Sequence, residues 1–234
     1  MKIKIKRYHP KKEPKSIWME YDILDGLTLL EALEYIKTNI DPTLTYSKGC
    51  RSGVCGSCAV VVNEKEVLAC EYKVMEDDKI EALKILETIR DLVVDIDDSL
   101  NRLKKAKAYL SKPNILPLNK EDEKLNQKQS DCILCNSCYS SCPVFEANQN
   151  FLGPFALSRN YRYLIDKREN SKKEKIEAVL ENGIWDCTLC GNCTEVCPQG
   201  IDPKSDILML QSWATKFGYQ NPNIANFGSF GLDF

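Results

Sequence analysis

Two cysteine-rich stretches decide the fold of this chain: Cys132-Ile-Leu-Cys-Asn-Ser-Cys-Tyr-Ser-Ser-Cys-Pro143 and Cys187-Thr-Leu-Cys-Gly-Asn-Cys-Thr-Glu-Val-Cys-Pro198. Both follow the pattern C-x2-C-x2-C-x3-C-P, in which three closely spaced thiolates can surround one corner of an inorganic cluster. In chains that carry two such runs, the fourth cysteine of each run reaches the cluster held by the other. The two stretches therefore predict a pair of iron–sulfur clusters that share one folding unit.

A third cysteine motif lies in the N-terminal half, at Cys50-Arg-Ser-Gly-Val-Cys-Gly-Ser-Cys58. Its C-x4-C-x2-C spacing, followed by Cys70, is the plant-type [2Fe–2S] pattern. Gly49, Gly53 and Gly56 allow a tight backbone curl that directs amide groups at the cluster sulfurs. This motif predicts a third, separate cluster.

Three sets of four ligands account for all twelve cysteines. The predicted [2Fe–2S] set is Cys50, Cys55, Cys58 and Cys70. The crossover rule gives the second, [4Fe–4S] cluster the set Cys132, Cys135, Cys138 and Cys197. The same rule gives the third cluster the set Cys142, Cys187, Cys190 and Cys193.

Two other uses of cysteine compete with this interpretation. A disulfide framework is typical of short secreted chains, but this chain has 234 residues and its basic start, MKIKIKRYHPKK, has no apolar region of a signal peptide behind it. Zinc is the stronger alternative, because paired C-x2-C hairpins also form four-cysteine zinc sites. A third cysteine at the same spacing, followed by Cys-Pro, is rare in zinc sites.

The composition is that of an ordinary globular protein, with 43% hydrophobic and 28% charged residues. A net charge of −2 gives no reason to expect nucleic acid as a partner, and no apolar run approaches the roughly 18 residues of a membrane span. His9 is the only histidine, and neither a GxGxxG motif nor a P-loop occurs. We therefore expect electron transfer, with substrate chemistry on another polypeptide.

The N-terminal half reads as a small sheet with one helix. Alternation at Ile3 and Ile5 and again over residues 17–23 predicts a β-hairpin. The capping-box pattern Thr28-Leu-Leu-Glu31 opens a helix that ends near Ile40. Further short strands are predicted over residues 59–63, 67–70 and 79–83.

Apolar residues recur at helical spacing over residues 88–110, which predicts one or two helices there. A connection rich in proline and charge follows, so we place a domain boundary near residue 105. In the second half, Gly153-Pro154, the capping-box pattern Ser171-Lys-Lys-Glu174 and Asp202-Pro203 each predict the start of a helix. The final residues 219–234 contain Phe227, Phe230 and Phe234, and form either an unstructured tail or an arm that docks on a partner.

The predicted fold class is therefore α+β. Residues 1–105 are expected to form a β-grasp, plant-type ferredoxin domain with the [2Fe–2S] cluster. Residues 106–234 are expected to form an all-helical, two-cluster ferredoxin-like domain.

This arrangement resembles the iron–sulfur subunit of succinate dehydrogenase and fumarate reductase over residues 1 to about 215. The marks of the resemblance are Cys50-Arg-Ser-Gly-Val-Cys-Gly-Ser-Cys58, Ile89-Arg-Asp-Leu-Val-Val-Asp95, Cys132-Ile-Leu-Cys135, Gly153-Pro154, Arg162-Tyr163 with Asp166 and Arg168, and Val196-Cys-Pro198. The resemblance implies an electron-transfer subunit between an FAD-containing flavoprotein and a membrane-associated anchor or cysteine-rich redox subunit, linked to quinone or thiols. The [2Fe–2S] cluster would then lie nearest the flavin.

The resemblance also implies a location peripheral to the cell membrane, as part of a complex. The cytoplasmic side is favoured, with periplasmic co-export alongside a twin-arginine partner as the alternative. Two other functions remain open: an iron–sulfur carrier for another flavoprotein oxidoreductase, thiol-linked or glycolate-type, and a zinc-stabilised interaction module.

The sequence departs from the commonest members of this family at Cys190. In those members the equivalent position is not cysteine and the third cluster is [3Fe–4S]. Cys190 therefore favours a second [4Fe–4S] cluster and resembles a subset whose partner carries cysteine-rich repeats. Residues 144–147 and Thr188 also lack the tryptophans and histidine found elsewhere, so a quinone site on this chain is not expected.

Overall fold

The structure is a computed structural model that describes residues 1–12 and 14–222. The chain divides into two compact units, each assembled from separate segments. The first consists of Met1–Asp98, Cys132–Ser141 and Asn192–Ile201, and the second of Ser99–Asp131, Cys142–Gly191 and the residues from Asp202 onward. The domain boundary near residue 105 stays a prediction. Phe227, Phe230 and Phe234 of the predicted tail lie outside the described residues.

The first unit contains a five-stranded sheet. Its strands are β1 (Lys2–Tyr8), β2 (Ser16–Asp22), β3 (Ala59–Val62), β4 (Lys65–Leu68) and β5 (Lys79–Glu81), in the spatial order β2-β1-β5-β3-β4. Strands β1 and β5 are parallel, and the other neighbours are antiparallel. The predicted N-terminal hairpin is confirmed, with Ile3 and Ile5 fully buried. On the edge strand β2, Ile17 and Met19 are exposed, so burial begins only at Tyr21.

The helix α1 (Leu29–Asn39) packs its apolar face into the same core as the sheet. The predicted capping box is present: the Thr28 hydroxyl accepts from the Glu31 N–H, and the Glu31 carboxylate accepts from the Thr28 N–H at 2.7 Å. Leu29, Leu33 and Ile36 are buried on its inner face. Each such side chain contributes about 1.5–3 kcal/mol by leaving water.

The prediction of a helix from residue 88 is wrong for residues 88–96. The chain there forms a two-stranded hairpin, β6 (Thr88–Arg90) and β7 (Val93–Val94), and helix α2 (Asp97–Lys105) starts only afterwards. Asp91 turns the hairpin with a φ of 46°, and its carboxylate accepts from the buried guanidinium of Arg7 at 2.9 Å. This long-range ion pair fixes a turn that the local apolar spacing does not indicate.

All elements after β7 in the described chain are helical. They are α2, α3 (Lys120–Ser130), α4 (Ser137–Ser140), α5 (Pro143–Ala147), α6 (Pro154–Leu164), α7 (Lys172–Glu177), a π-type turn (Leu180–Ile184), α8 (Asn192–Glu195) and α9 (Pro203–Lys216). Helices α6 and α9 pack together in the second unit and bury Leu157, Ile207 and Leu210. Within the described residues, no helix has both the length and the apolar character needed to span a bilayer.

The three predicted helix starts in this half have different outcomes. Proline occupies the first turn of α6 and α9, as expected. The capping box predicted at Ser171 is wrong, because Ser171 enters α7 with φ −96° and ψ 39° and its side chain makes no capping bond. An N-cap hydroxyl needs an extended backbone to reach the third N–H of its helix.

Candidate iron–sulfur centres

The N-terminal cysteine motif forms a loop between α1 and β3, and Cys70 closely follows β4. Backbone N–H groups donate to its sulfurs, among them Cys50 N to Cys55 Sγ at 3.3 Å, Ser52 N to Cys50 Sγ at 3.4 Å, and Gly53 N to Cys70 Sγ at 3.3 Å. Such N–H groups stabilise negative charge on cysteine sulfur. The loop therefore stabilises its own cysteines as thiolates.

The sulfurs of this loop differ in environment. Hydrogen bonds from the Ser52 and Val54 N–H groups lower the pKa of the exposed Cys50 thiol to about 6. Burial instead raises the pKa of Cys58 to about 11. Cys55 is exposed like Cys50, so one side of the ligand set faces solvent and the other faces the core.

Glycine at position 56 brings this loop against the first cysteine run. Gly56 has a φ of +72°, and a Cβ there would lie 2.7 Å from the Ile133 carbonyl oxygen and 2.8 Å from Cys135 Cβ. No side chain fits in that space, so the two ligand loops pack backbone to backbone within the first unit. The predicted [2Fe–2S] motif and the first C-x2-C-x2-C motif are direct neighbours.

The first three cysteines of the first run lie in the first unit, together with the fourth cysteine of the second run. The Cys135 thiol interacts electrostatically with Cys132 and Cys197, and Cys138 interacts with these and with Cys193. Burial raises the pKa of Cys135, and raises that of Cys138 well above its usual value. The four sulfurs that the crossover rule assigns to the second cluster are therefore neighbours within the first unit, and Cys193 is a further neighbour of Cys138.

Three of the sulfurs assigned to the third cluster, those of Cys142, Cys187 and Cys190, belong to the second unit. In the second unit, the Cys187 thiol interacts electrostatically with Cys142 and Cys190. Burial raises the pKa of Cys142 and Cys187, and the Val144 and Phe145 N–H groups donate to Cys142. The fourth predicted ligand, Cys193, belongs to the first unit, where it is a neighbour of Cys138.

The two runs have positive φ angles at the same two positions. The residues before and after the second cysteine of each run have positive φ angles: Leu134 and Asn136 in the first run, and Leu189 and Gly191 in the second. Leucine rarely adopts this conformation, and strain of this kind persists where the surroundings impose it. The turned backbone directs the Leu189 N–H at Cys187 Sγ, 3.4 Å away.

The arrangement fits clusters held by thiolates. The donor set is soft sulfur supported by backbone amides, which is the chemistry that iron–sulfur clusters require.

Sequence reasoning did not identify the contact that the Gln199 side chain makes at this site. The Gln199 amide, just beyond Cys197-Pro198, donates from Nε2 to the Gly53 carbonyl oxygen at 2.9 Å. The two residues are 146 positions apart, and both belong to the first unit. Cysteine spacing carries no signal for such a contact.

Comparison with known proteins identifies the family. A model of the "2Fe-2S iron-sulfur cluster binding domain" matches residues 2–101, and one of the "4Fe-4S dicluster domain" matches residues 128–201. The fumarate reductase iron–sulfur subunit of Escherichia coli O6:H1 is 36% identical over 220 residues, covering 88% of this chain and 90% of the relative. The chain belongs to the family of fumarate reductase and succinate dehydrogenase iron–sulfur subunits.

Two further comparisons add one similar sequence and one similar fold. The 8-methylmenaquinol:fumarate reductase iron–sulfur subunit of Wolinella succinogenes is 34% identical, covering 93% of this chain and 74% of the relative. A chain of the Sdh1 complex of Mycobacterium smegmatis, in the apo form, has the same fold, with a TM-score of 0.82 over 94% of this chain and 98% of that one at 22% identity.

Membership confirms several predictions. This fumarate reductase-type chain has the predicted α+β class, is an electron-transfer subunit of an oxidoreductase, and carries [2Fe–2S] and [4Fe–4S] clusters. Subunits of this family work with a flavoprotein and a membrane anchor, as expected from the resemblance.

Proposed function

We propose that this chain passes electrons one at a time between an FAD-containing flavoprotein, where fumarate and succinate interconvert, and a membrane-associated anchor or cysteine-rich redox subunit. The observation that carries the proposal is the contact between Gly56 and Cys135. Electron tunnelling weakens steeply with distance, so ligand loops that touch provide a short path between the first two clusters. The clusters supply the redox chemistry when bound, and the chain supplies their spacing and their hydrogen bonds.

The proposed ligands are the three sets given by cysteine spacing. The electrostatic neighbourhood of Cys135 and Cys138 supports the second set, and that of Cys187 supports Cys142 and Cys190 as members of the third. The five-stranded mixed sheet with α1 packed into its core supports a β-grasp fold for the [2Fe–2S] part. Cys190 completes the second run, so the proposed third cluster is [4Fe–4S].

The [2Fe–2S] loop is the proposed docking point for the flavoprotein. Cys50 and Cys55 are exposed, and the apolar side chain of Val54 between them is 64% exposed. An apolar residue beside exposed cluster ligands suits a surface that a partner covers. The complex would lie at the cell membrane, on the cytoplasmic side or, with a twin-arginine partner, in the periplasm.

Metal analysis with redox-monitored electron paramagnetic resonance (EPR) tests this function. Protein purified without oxygen is expected to bind about ten irons per chain, from one [2Fe–2S] and two [4Fe–4S] clusters. The reduced protein is expected to show a [2Fe–2S] signal together with cubane signals. A colourless protein that contains only zinc would instead support the interaction module.

A further inference from the structure

The side chain of Gln199 connects the second cysteine run to the [2Fe–2S] loop. Gln199 lies two residues after Cys197, and its Nε2 donates to the Gly53 carbonyl oxygen at 2.9 Å. Gly53 is buried and has a φ of +73°. As a glycine it has no side chain that could fix the orientation of its peptide group. The hydrogen bond from Gln199 therefore fixes a peptide group that lies within the cluster loop.

This peptide group and the one before it each supply an N–H group to a cysteine sulfur. The Gly53 N–H donates to Cys70 Sγ at 3.3 Å. The Val54 N–H, which belongs to the same peptide group as the Gly53 carbonyl, donates to the Cys50 thiol. One glutamine amide thus acts on the backbone that supplies N–H groups to two of the four proposed [2Fe–2S] ligands.

A donor on the carbonyl strengthens the N–H at the other end of a peptide group. Hydrogen bonds in a chain polarise one another, so accepting from Gln199 makes the Val54 N–H a better donor. Reduction adds negative charge to the cluster and its sulfurs, and N–H bonds to sulfur stabilise that charge. The effect of the Gln199 contact is therefore to favour the reduced cluster.

We propose that Gln199 is a positioning residue that raises the reduction potential of the [2Fe–2S] cluster through the Gly53–Val54 peptide group. The proposal rests on the [2Fe–2S] ligand set given under the proposed function. The residue that follows Cys197-Pro198 then has a second role, because it adjusts the reduction potential of the neighbouring [2Fe–2S] cluster.

The test replaces the donor and keeps the side-chain length, as Gln199→Met, in the full chain with its clusters. The reduction potential of the [2Fe–2S] cluster is measured by EPR-monitored redox titration. We expect the reduced-to-oxidised ratio at a fixed potential to fall about threefold, which is about 28 mV at 59 mV per tenfold for one electron. Pulsed EPR in deuterated water should show weaker couplings from exchangeable backbone protons, which a purely structural role would not selectively change.

The chain offers a matched control in helix α9. Gln211 also donates its side-chain amide to a backbone carbonyl, that of Ile184, at 2.7 Å, and the acceptor is outside the [2Fe–2S] loop. Gln211→Met should leave the [2Fe–2S] potential unchanged. An equal shift in both variants would overturn the proposal.

Gln199→Lys keeps an N–H donor at the same point and is expected to give a potential at or above that of the wild type. A potential below the wild type in Gln199→Lys would overturn the proposal, even if Gln199→Met did not assemble its cluster. An unchanged potential in Gln199→Met, with the [2Fe–2S] signal intact, would also overturn it. Absence of that signal from the wild type would instead count against the proposed function.

Discussion

Cys190 lies in the second cysteine run, exposed to solvent and close enough to Cys142 and Cys187 to affect the ionisation of both thiols. A cubane cluster needs one protein ligand for each of its four irons. Removing the ligand of one iron leaves a corner without a thiolate, and that iron is the one lost most easily. The identity of residue 190 therefore controls the number of irons in the proposed third cluster.

Cys190→Val is expected to convert the third cluster from four irons to three. Valine has a similar volume but no atom that can bind iron, so about one iron per chain should be lost. EPR of the oxidised protein should gain a [3Fe–4S] signal, while the [2Fe–2S] signal stays unchanged. Thr188→Ser in the same loop is the control. A [3Fe–4S] signal already present in the wild type would contradict the assignment of Cys190.

Helix α7 contains a lysine that is fully buried with its partner. Lys175 Nζ lies 3.1 Å from the Glu169 carboxylate, and both side chains are 0% exposed. Lys175 also donates to the carbonyls of Lys107 and Tyr109, and the carboxylate accepts from the Ser111 N–H at 2.7 Å. The pair therefore attaches the segment between α2 and α3 to α7, within the second unit.

Lys175→Met should destabilise the protein by about 3–5 kcal/mol, because it leaves Glu169 buried without its cation. Lys173→Met, on an exposed position of the same helix, should change the free energy of unfolding by no more than about 0.5 kcal/mol. Urea unfolding followed by fluorescence of Trp185 and Trp213, both in the second unit, measures the difference. Equal midpoints for the two variants would contradict a stabilising role for the pair.

The difference in free energy of unfolding between wild type and Lys175→Met depends on pH through Glu169. Burial would raise the pKa of its carboxyl, but hydrogen bonds from the Ser111 and Ser171 N–H groups and from Lys175 outweigh that effect and lower the pKa to about 2. Its ordinary value is 4.5. Because the folded pKa is the lower one, the stabilisation is complete above about pH 4.5 and is lost as the pH falls toward 2. The gap between wild type and Lys175→Met should therefore be constant near neutral pH and narrow only in acid.

At the scale of elements, the sequence predicted what depends on local pattern. The β1–β2 hairpin, helix α1 with its Thr28 cap and the proline-led helices α6 and α9 all follow from neighbouring residues. Ile89, Leu92 and Val93 follow helical spacing, yet the β-branched residues of this segment lie in strands β6 and β7. The Asp91 turn between these strands is held by Arg7. The tertiary contact overrode the periodicity.

At the candidate site, too, local sequence predicts some features and tertiary contacts decide others. Cysteine spacing is local, so the spacing alone is enough to propose the ligands and their grouping. The approach of Gly56 to Cys135 and the hydrogen bond from Gln199 to Gly53 join residues far apart in the sequence. A glycine at position 56 predicts a tight curl, but which backbone it accommodates depends on the fold.

At the scale of the whole molecule, the chain depends on partners at the ends of its electron path. Fumarate and succinate chemistry is proposed to occur on a flavoprotein, so a partner has to approach the [2Fe–2S] loop closely. The exposed Val54 next to Cys55 is the proposed point of that approach. Ile17, 45% exposed, lies on edge strand β2, at the opposite edge of the sheet from β4. The two positions have similar side chains and provide a matched pair for a binding test.

Val54→Glu should weaken association with the flavoprotein roughly tenfold, about 1.4 kcal/mol, because a carboxylate would be buried where an apolar side chain packs. Ile17→Glu should leave association unchanged. Co-purification of tagged chains with the products of neighbouring genes, followed by flavin analysis and fumarate reductase assay, measures both effects. Equal weakening by both variants would place the interface away from the cluster loop. Recovery of a flavoprotein that oxidises glycolate but leaves fumarate unchanged would assign the chain to another oxidoreductase.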